Sequence, residues 1–356
     1  MSSGRPNCHL ATLAAALVAV LVAGCAGNGA SVPPSNPGGT AGASGSPAAS
    51  VTPTRLVVGL GYIPSVQFAQ FYLAQQKGYY ADAGLTIEFQ QKADSDLILL
   101  VGAGTIDVGI GDGTSVIPAA SNKVPVEYIA TLYGKFPNVV FAKASSGIRT
   151  AADLKGKKIG TPGRYGSGWI MLQALLGSAG LTTTDVQIVE YPDYTQRAAV
   201  EQGAVDAATG FSNNEPVQMQ LGGTTPVSLT IDAITPLPGP GLIAATKTLD
   251  AKHDAIAAFV AATLQAMAEI EADPAVGLDA AITAVPELAS QRDAQAAILA
   301  ATIATWGGPA QQAHGLGAID PASWTASIAY LKTLGLLKGD VTTDQMVRTD
   351  LLPAGD

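Results

Sequence analysis

The sequence predicts an α/β protein of two lobes with mainly parallel sheets. Three observations lead to this prediction. Apolar segments of strand length alternate with helical patterns of about ten residues, which is typical of βαβ units. The pattern of glycine, apolar residue and aspartate before a small-residue strand occurs at Gly104 and again at Gly203. The body of the chain, residues 54–356, is long enough for two lobes of about 150 residues each.

The composition excludes several classes of protein. The chain has 356 residues, of which 47% are hydrophobic and 13% charged, and its formal net charge is −9. Because an acidic chain offers no basic face, we predict no nucleic-acid partner and no binding to anionic membrane surfaces. The two cysteines, Cys8 and Cys25, lie near the start of the chain. The body therefore has no thiol for a disulfide, a metal site or a nucleophile.

The first residues predict a secretory leader and a lipid anchor. The apolar run of residues 10–23 is shorter than the ~20 residues that a membrane-spanning helix needs. With Arg5 before it and Ala23-Gly24-Cys25 at its end, it has the form of a signal peptide over residues 1–24. The end resembles a bacterial lipobox, which implies diacylation of Cys25 and a position on the outer face of the membrane. An ordinary signal peptide with an incidental cysteine is the alternative. Residues 25–53, rich in Gly, Ser, Pro and Ala, predict a flexible tether.

The first lobe begins with a strand at residues 55–60 and the loop 61–64. Ser65 is placed to cap a helix that ends near Gly78. The next elements in the first lobe are strands at 86–89, 106–110 and 126–132, with helices from 94 or 95 and over 114–121.

The second lobe repeats this alternation. After an extended segment at 138–143, Thr150 and Asp153 form a capping box. The predicted strands lie at 158–161, 186–190 and 207–211, and the predicted helices at 169–179, at 194–202 and from Glu215. From residue 246 the chain is helical to about residue 334, with a polar tail from residue 339. We assign this C-terminal region a structural role beside the first lobe.

The candidate site lies where the repeated strands end. Ligands of open α/β sheets bind beyond the carboxyl ends of the strands. The segments that follow the two repeated elements, residues 112–114 and 212–215, are therefore expected to face one cleft between the lobes.

Several motifs together resemble a family of known function. They are Gly61-Tyr-Ile-Pro-Ser-Val-Gln-Phe-Ala69, Lys77-Gly-Tyr-Tyr80, the two glycine–aspartate elements, Asp153-Leu-Lys-Gly-Lys-Lys-Ile-Gly160 and Asn213-Asn-Glu-Pro216. Over residues 55–264 the chain resembles the solute-binding proteins of ABC importers. Within that family it is similar to the branch that binds thiamine pyrimidine precursors and riboflavin, which is related to the sulfonate, taurine and nitrate binders.

The resemblance implies a type II periplasmic binding protein that closes on its ligand. The first lobe would comprise residues 54–140 and 235–356, and the second lobe residues 141–234. Two crossing segments, near 136–146 and 230–242, would form the hinge. The family also implies a monomeric receptor that delivers its ligand to a separate membrane permease with its ATPase. The region after residue 272 carries none of the family's motifs.

The residues expected to bind the ligand lie on the loops and first helical turns around the cleft: Tyr62, Ser65, Gln67, Asp112, Gly113, Thr114, Tyr133, Gly166, Ser167, Asn213, Asn214 and Glu215. Tyr62 offers a ring that can stack on a planar heterocycle. Gln67 offers both a donor and an acceptor, although a surface role fits it equally well. Asn214 and Glu215 would bind along the ring edge, and residues 112–114 would close from the other lobe.

The acidic side chains of Asp112 and Glu215 favour a neutral or cationic planar nitrogen heterocycle, such as a thiamine pyrimidine precursor or riboflavin. An anion would require arginine and backbone N–H groups. Arg164 and the glycines of the loop 162–168 keep a sulfonate, taurine or nitrate ligand as the alternative.

Catalysis is the less favoured interpretation. A pyrimidine synthase that shares the family's fold uses cysteines and a histidine at its site, and the cleft loops here carry neither. His253 and His314 lie in the C-terminal helical region, and no base has a claim to activate Ser167. We therefore predict a binding protein without a cofactor or a metal ion.

Overall fold

The computed structural model describes residues 53–353 with the exception of residue 93, and it leaves out the side chains of Asp94 and Ser95. The predicted signal peptide, the lipidation of Cys25 and all but the end of the tether lie outside the described residues.

The strands of the described residues form two five-stranded sheets. In chain order they are β1 (Thr54–Leu60), β2 (Leu85–Gln91), β3 (Val108–Asp112), β4 (Val126–Thr131), β5 (Asn138–Lys143), β6 (Lys158–Thr161), β7 (Gln187–Glu190), β8 (Ala207–Phe211), β9 (Pro226–Leu229) and β10 (Pro240–Ala245). The first sheet has the order β2-β1-β3-β10-β4 and the second β7-β6-β8-β5-β9. In each sheet one strand, β10 or β5, runs antiparallel to both of its neighbours.

The antiparallel strands are the ones that enter each sheet after a crossing. The chain leaves the first sheet after β4, enters the second through β5 and returns through β10, so the crossings are residues 132–137 and 230–239. The first crossing precedes most of the expected segment 136–146, because β5 pairs with β8 and β9. Residues 138–140, which the sequence analysis assigns to the first lobe, belong to the second sheet for the same reason.

The helices cover the faces of the sheets. They are α1 (Ala69–Gln76), α2 (Tyr79–Asp82), α3 (Asp94–Gly102), α4 (Gly113–Ser121), α5 (Gly166–Ser178), α6 (Gln196–Gln202), α7 (Glu215–Leu221), α8 (Thr246–Ala272), α9 (Pro274–Ala284), α10 (Arg292–Trp306), α11 (Pro309–His314) and α12 (Pro321–Thr333). Short 3₁₀ turns lie at Val66–Phe68, Ala144–Ser146, Ala151–Leu154, Thr183–Asp185, Pro286–Gln291 and Thr343–Gln345. The Ser65 hydroxyl accepts a hydrogen bond from the backbone N–H of Gln67 and so caps the turn that leads into α1.

The repeated aspartate has the same structural role in both lobes. The backbone N–H of Val57 donates to Oδ2 of Asp107 at 2.9 Å, and the backbone N–H of Lys158 donates to Oδ2 of Asp206 at 2.8 Å. The glycine three positions before each aspartate has a left-handed φ, 73° and 76°. Each pair fastens the start of β3 or β8 to the neighbouring parallel strand, β1 or β6.

The C-terminal region completes the core of the first lobe and also reaches the second. Phe259 of α8 is fully buried among residues of β1 and α1. By length and composition α8 could cross a membrane, but half of its most apolar stretch is buried within the protein, as in a core helix. On α12, Trp324 packs on Tyr128 of the first sheet, whereas the Tyr330 hydroxyl donates to the carbonyl of Ala174 in the second lobe.

The tail after residue 339 packs on the first sheet despite its polar sequence. Met346 and Leu351 are buried, and the backbone N–H of Tyr128 donates to the Met346 carbonyl at 2.7 Å. The tail thereby covers part of β4, the edge strand of the sheet.

Candidate ligand-binding cleft

A cavity of ≈470 Å³ lies between the two lobes at the carboxyl ends of β1, β3, β6 and β8. Its volume falls within the range of about 300–1,000 Å³ that is usual for small-molecule sites. Both lobes contribute walls, so a molecule in the cavity would touch both at once.

The structure brings most of the sequence-predicted residues to this cavity. Those that line it are Tyr62, Gln67, Asp112, Tyr133, Gly166, Ser167, Asn214 and Glu215. Those that do not line it are Ser65, Gly113, Thr114 and Asn213. Ser65 caps its helical turn, and it lines a second, smaller cavity.

Gly113 and Thr114 pack against the second crossing. The Thr114 hydroxyl donates to the carbonyl of Pro238 at 2.9 Å, and a Cβ on Gly113 would lie 2.6 Å from a side-chain carbon of Pro238. These two residues start α4 and leave no room for a ligand on their side.

Asn213 and Asn214 join the lobes to each other. The Nδ2 of Asn213 donates to Oε1 of Gln67 at 2.9 Å and to the hydroxyl of Thr302 at 2.8 Å. The Nδ2 of Asn214 donates to the Tyr62 hydroxyl at 3.2 Å. The lobes are therefore in direct polar contact.

Glu215 is the buried acid of the site, with 6% of its surface exposed. Its Oε2 accepts from the backbone N–H of Phe211 at 2.8 Å, and its Oε1 accepts from Nε2 of Gln196 at 3.4 Å. Burial raises the pKa of Glu215 to about 7, against the opposing effects of backbone donors and the charge of Arg197. The carboxyl can therefore act as a donor or an acceptor near neutral pH.

Gly210 makes room for this carboxyl. A Cβ at Gly210 would lie 2.7 Å from Oε2 of Glu215 and 2.8 Å from the ring of Phe141. Any larger residue would displace the acid from its position on the cavity wall.

Two tyrosines with unusual backbone geometry meet at the edge of the cavity. Tyr62 of the first lobe and Tyr194 of the second both have φ of 60°, which is rare for bulky residues. Their rings stand edge to face with centroids 4.8 Å apart and an interplanar angle of 84°. Backbone conformations of this kind concentrate at ligand sites, where the surrounding structure holds them in place.

Two glutamines that the sequence does not predict, Gln70 and Gln196, also line the cavity, and each is 1% exposed. Within the described part of the chain their Oε1 atoms have no hydrogen-bond partner. Leaving a buried acceptor unpaired costs about 1–3 kcal/mol, so a ligand that donates to these atoms would gain from pairing them. Gln70 lies among buried apolar residues of α1, and no local sequence pattern marks it as a ligand-binding residue.

Aromatic residues of the second lobe were also missed, among them Tyr165 and Trp169, which line the cavity. A signal for Tyr165 was available, because it follows β6 as Tyr62 follows the equivalent strand β1. Comparing the loops of the two lobes would have found it.

Arg164 does not belong to the cavity. Its Nε pairs with Oε1 of Glu190 at 2.9 Å, its guanidinium lies 5.5 Å from the ring centre of Trp169, and its side chain is 55% exposed. In the part of the chain that the structure describes, no lysine or arginine lines the cavity. The cation expected for the anion-binding alternative is therefore turned away from the site.

Within residues 53–353, apart from residue 93, no cysteine or histidine lines the cavity either. His253 lies at the surface, where its ring nitrogens contact Asp254 and Asp350. His314 is the last residue of α11.

Comparison with known sequences places the chain beside binding proteins and a biosynthetic enzyme. A sequence model of the family described as NMT1/THI5 like matches residues 65–276. The chain is 29% identical over 344 residues to the riboflavin-binding protein RibY of Chloroflexus aurantiacus, covering 95% of this chain and 96% of that protein. It is 32% identical over 153 residues to the 4-amino-5-hydroxymethyl-2-methylpyrimidine phosphate synthase of Aspergillus parasiticus. That match spans 42% of this chain and 44% of the synthase.

Among solved structures, the alkanesulfonate-binding protein SsuA from Xanthomonas axonopodis pv. citri, bound to MOPS, is similar to this chain. The TM-score is 0.65 at 19% sequence identity, and the match covers 84% of this chain and 99% of SsuA. The predicted fold class, a two-lobed α/β periplasmic binding protein, is confirmed. At this level of identity the likeness concerns the fold alone.

Proposed function

Because the chain belongs to the NMT1/THI5-like family, we propose that it is the solute receptor of an ABC importer and that its ligand is a small planar nitrogen heterocycle. A flavin or a thiamine pyrimidine precursor would be enclosed between the lobes and released unchanged to a membrane permease. The relative that is named as a riboflavin-binding protein and matches nearly the whole chain supports this proposal.

The observation that carries the proposal is the chemistry of the cavity wall. Aromatic rings come from both lobes, including those of Tyr62, Tyr165 and Trp169. Gln70 and Gln196, whose side-chain oxygens are unpaired, also line the cavity. Rings favour a flat ligand, and unpaired acceptors favour one with N–H donors on its edge.

Glu215 would recognise the ring edge. As a carboxylate it accepts a ring N–H, and as a neutral acid it donates to an unprotonated ring nitrogen. A pKa near 7 makes both forms available at small free-energy cost. Asn214 lies beside it, and Asp112 faces the same cavity from the first lobe.

A pyrimidine-synthesising enzyme is the second candidate, since a relative carries that name. The match covers less than half of either chain. The described residues of the cavity wall also include no cysteine or histidine, the side chains that such chemistry would use. Binding without chemical change therefore agrees better with the site.

For its place in the cell, we propose a monomer held on the outer face of the membrane by diacylated Cys25. The supporting observation is the cysteine directly after Ala23-Gly24 at the end of the apolar run. Mass spectrometry of the native protein would detect the lipid on an N-terminal Cys25. An unmodified Cys25, or a start elsewhere, would exclude the anchor.

The proposal is tested by identifying what the protein carries and what stabilises it. Protein purified without denaturation is analysed by native mass spectrometry, and its thermal unfolding is followed with riboflavin, pyrimidines, taurine and nitrate. A ligand at 100 times its Kd adds about 2.7 kcal/mol to the free energy of unfolding. We expect a flavin or a pyrimidine to stabilise the protein and to be recovered intact. Stabilisation by taurine or nitrate alone would refute a heterocyclic ligand. Recovery of a product that differs from the added compound would show that the protein is an enzyme.

Two variants make the test specific. Glu215→Gln should weaken ligand-induced stabilisation, whereas Glu190→Gln, which removes an exposed carboxylate outside the cavity, should not. If Arg164→Ala abolishes the effect and Glu215→Gln does not, the anion-binding alternative is correct.

A further inference from the structure

A second cavity, of ≈260 Å³, adjoins the ligand cavity. Tyr62, Tyr194, Asn214 and Glu215 line both cavities, so the edge-to-face tyrosine pair stands where the two meet. We call the second cavity the amide compartment, because four carboxamides are among its lining residues: Asn214, Gln218, Gln291 and Gln295.

The two cavities differ in chemistry. The ligand cavity has aromatic walls suited to a ring, whereas the amide compartment offers the glutamines of α7, α10 and the turn before α10, together with the Ser65 hydroxyl. Each carboxamide presents both a donor and an acceptor. Hydroxyl groups also donate and accept, so a chain of hydroxylated carbons can be paired along its whole length by such a wall.

The charges in the amide compartment disfavour an anion. Its one basic side chain within the described residues, Arg197, is already paired through Nη1 with Oε2 of Glu201 at 2.7 Å. The buried acid Glu215 lies on the same wall. A phosphate would therefore meet a neutralised cation and an acid, without a free counter-charge.

Hydrogen bonds join residues of the amide compartment to a residue that lines both cavities. Nε2 of Gln218 donates to Oδ1 of Asn214 at 2.8 Å, and Nδ2 of Asn214 donates to the Tyr62 hydroxyl. A group bound to Gln218 would thus act on the same tyrosine that borders the ring.

We propose that the ligand has two parts, a planar heterocycle in the ligand cavity and an uncharged polyhydroxyl chain in the amide compartment. This inference rests on the proposed function and narrows it. It favours a flavin with an intact sugar-alcohol chain over a bare pyrimidine and over a phosphorylated flavin.

The test compares three flavins with the same ring system. Riboflavin carries the polyhydroxyl chain, lumiflavin carries a methyl group in its place, and flavin mononucleotide carries a terminal phosphate. Affinities are measured by titration of the full chain, with flavin fluorescence as the readout. We expect riboflavin to bind at least about tenfold more tightly than lumiflavin, since a few hydrogen bonds amount to that factor. Flavin mononucleotide should bind more weakly than riboflavin.

A matched pair of variants assigns the difference to the amide compartment. Gln295→Leu should weaken the affinity for riboflavin about three- to tenfold, because one polar partner of the polyhydroxyl chain is lost. The affinity for lumiflavin should change much less. Gln220→Leu, an exposed position on α7 outside both cavities, should leave the riboflavin-to-lumiflavin ratio unchanged. Thermal unfolding of both variants checks that they are folded.

The possible failures are distinct. Equal affinity for riboflavin and lumiflavin would refute the binding of the polyhydroxyl chain in the amide compartment and would leave the proposed function intact. Tighter binding of flavin mononucleotide would show that the compartment accepts an anion, against the proposal. If no flavin binds but a bare pyrimidine does, the two-part ligand is wrong and the receptor remains. If neither class binds, the proposed function fails and the two-part ligand fails with it.

Discussion

The replacement Glu215→Gln should change how the stability of the ligand-free protein depends on pH. Burial raises the pKa of Glu215 from 4.5 to about 7. Between these values the unfolded chain releases a proton that the native protein keeps. The free energy of unfolding therefore falls as pH rises from about 4.5 to 7, and this effect is complete above pH 7. The difference between a pKa of 4.5 and a pKa of about 7 lowers the free energy of unfolding by about 3 kcal/mol over this range.

Glutamine has the same shape and stays neutral at every pH, so the variant should lack this loss of stability. Its oxygen can still accept from the backbone N–H of Phe211. Arg197 is the charged side chain that favours the carboxylate, and its attraction is already included in the raised pKa. We therefore expect the stability of Glu215→Gln relative to the wild type to increase by about 2–3 kcal/mol between pH 5 and pH 8.

Urea unfolding of the wild type and the variant, followed by tryptophan fluorescence at pH 5, 6, 7 and 8, measures this difference. Glu287→Gln, at an exposed position, is the control and should not reproduce the pH-dependent gain. Parallel pH profiles for the wild type and Glu215→Gln would refute the reasoning. They would mean that the carboxyl titrates at an ordinary pKa in the folded protein.

Three further predictions concern the contacts around the cleft. Asn213→Ala leaves the buried side-chain oxygen of Gln67 unpaired between the lobes. We expect the free energy of unfolding, measured in urea, to fall by about 1–3 kcal/mol and the radius of gyration in small-angle scattering to increase. Unchanged scattering would argue against a role of Asn213 in holding the lobes together. Asp107→Asn and Asp206→Asn should each lower the free energy of unfolding by about 1–2 kcal/mol, with the larger loss at Asp107, which also pairs with a lysine of α8; no loss at either would refute the strand-fastening role. Gly210→Ala should weaken ligand binding at least about tenfold by displacing the Glu215 carboxyl, and titration showing wild-type affinity would contradict this.

The sequence predicts the fold well where the determinants are local. The strands β6 and β8 have the predicted bounds, and the capping box of Thr150 and Asp153 is present. The start of α5 differs, because Gly166 and Gly168 are poor helix formers and indicate a loop. In the structure α5 begins at Gly166, and a Cβ at Gly168 would lie 3.2 Å from Oδ1 of Asn138. This glycine allows the helix to approach β5 closely, a tertiary requirement that local propensity does not contain.

The same distinction explains the outcome at the site. Asp112 and Glu215, which the sequence predicts from their positions after strand ends, both line the cavity. A position after a strand end does not distinguish a residue that faces the cavity from one that joins the lobes. For this reason Asn213 was predicted among the ligand-binding residues, whereas its side chain bonds to the first lobe. The direction of Arg164 depends on Glu190 at the end of β7, a contact between separate segments of the chain. Such contacts are fixed by packing and have no periodic signature.

The division of polar groups between the lobes indicates how a ligand would favour closure. The bonds of Asn213 and Asn214 to the first lobe join the two lobes without a ligand, so they favour contact between the lobes whether or not the cavity is filled. The unpaired oxygens belong to Gln70 in the first lobe and to Gln196 in the second. A ligand shifts the equilibrium between open and closed forms only by binding one more tightly than the other. A molecule that donates to both oxygens would meet this condition, because one oxygen belongs to each lobe.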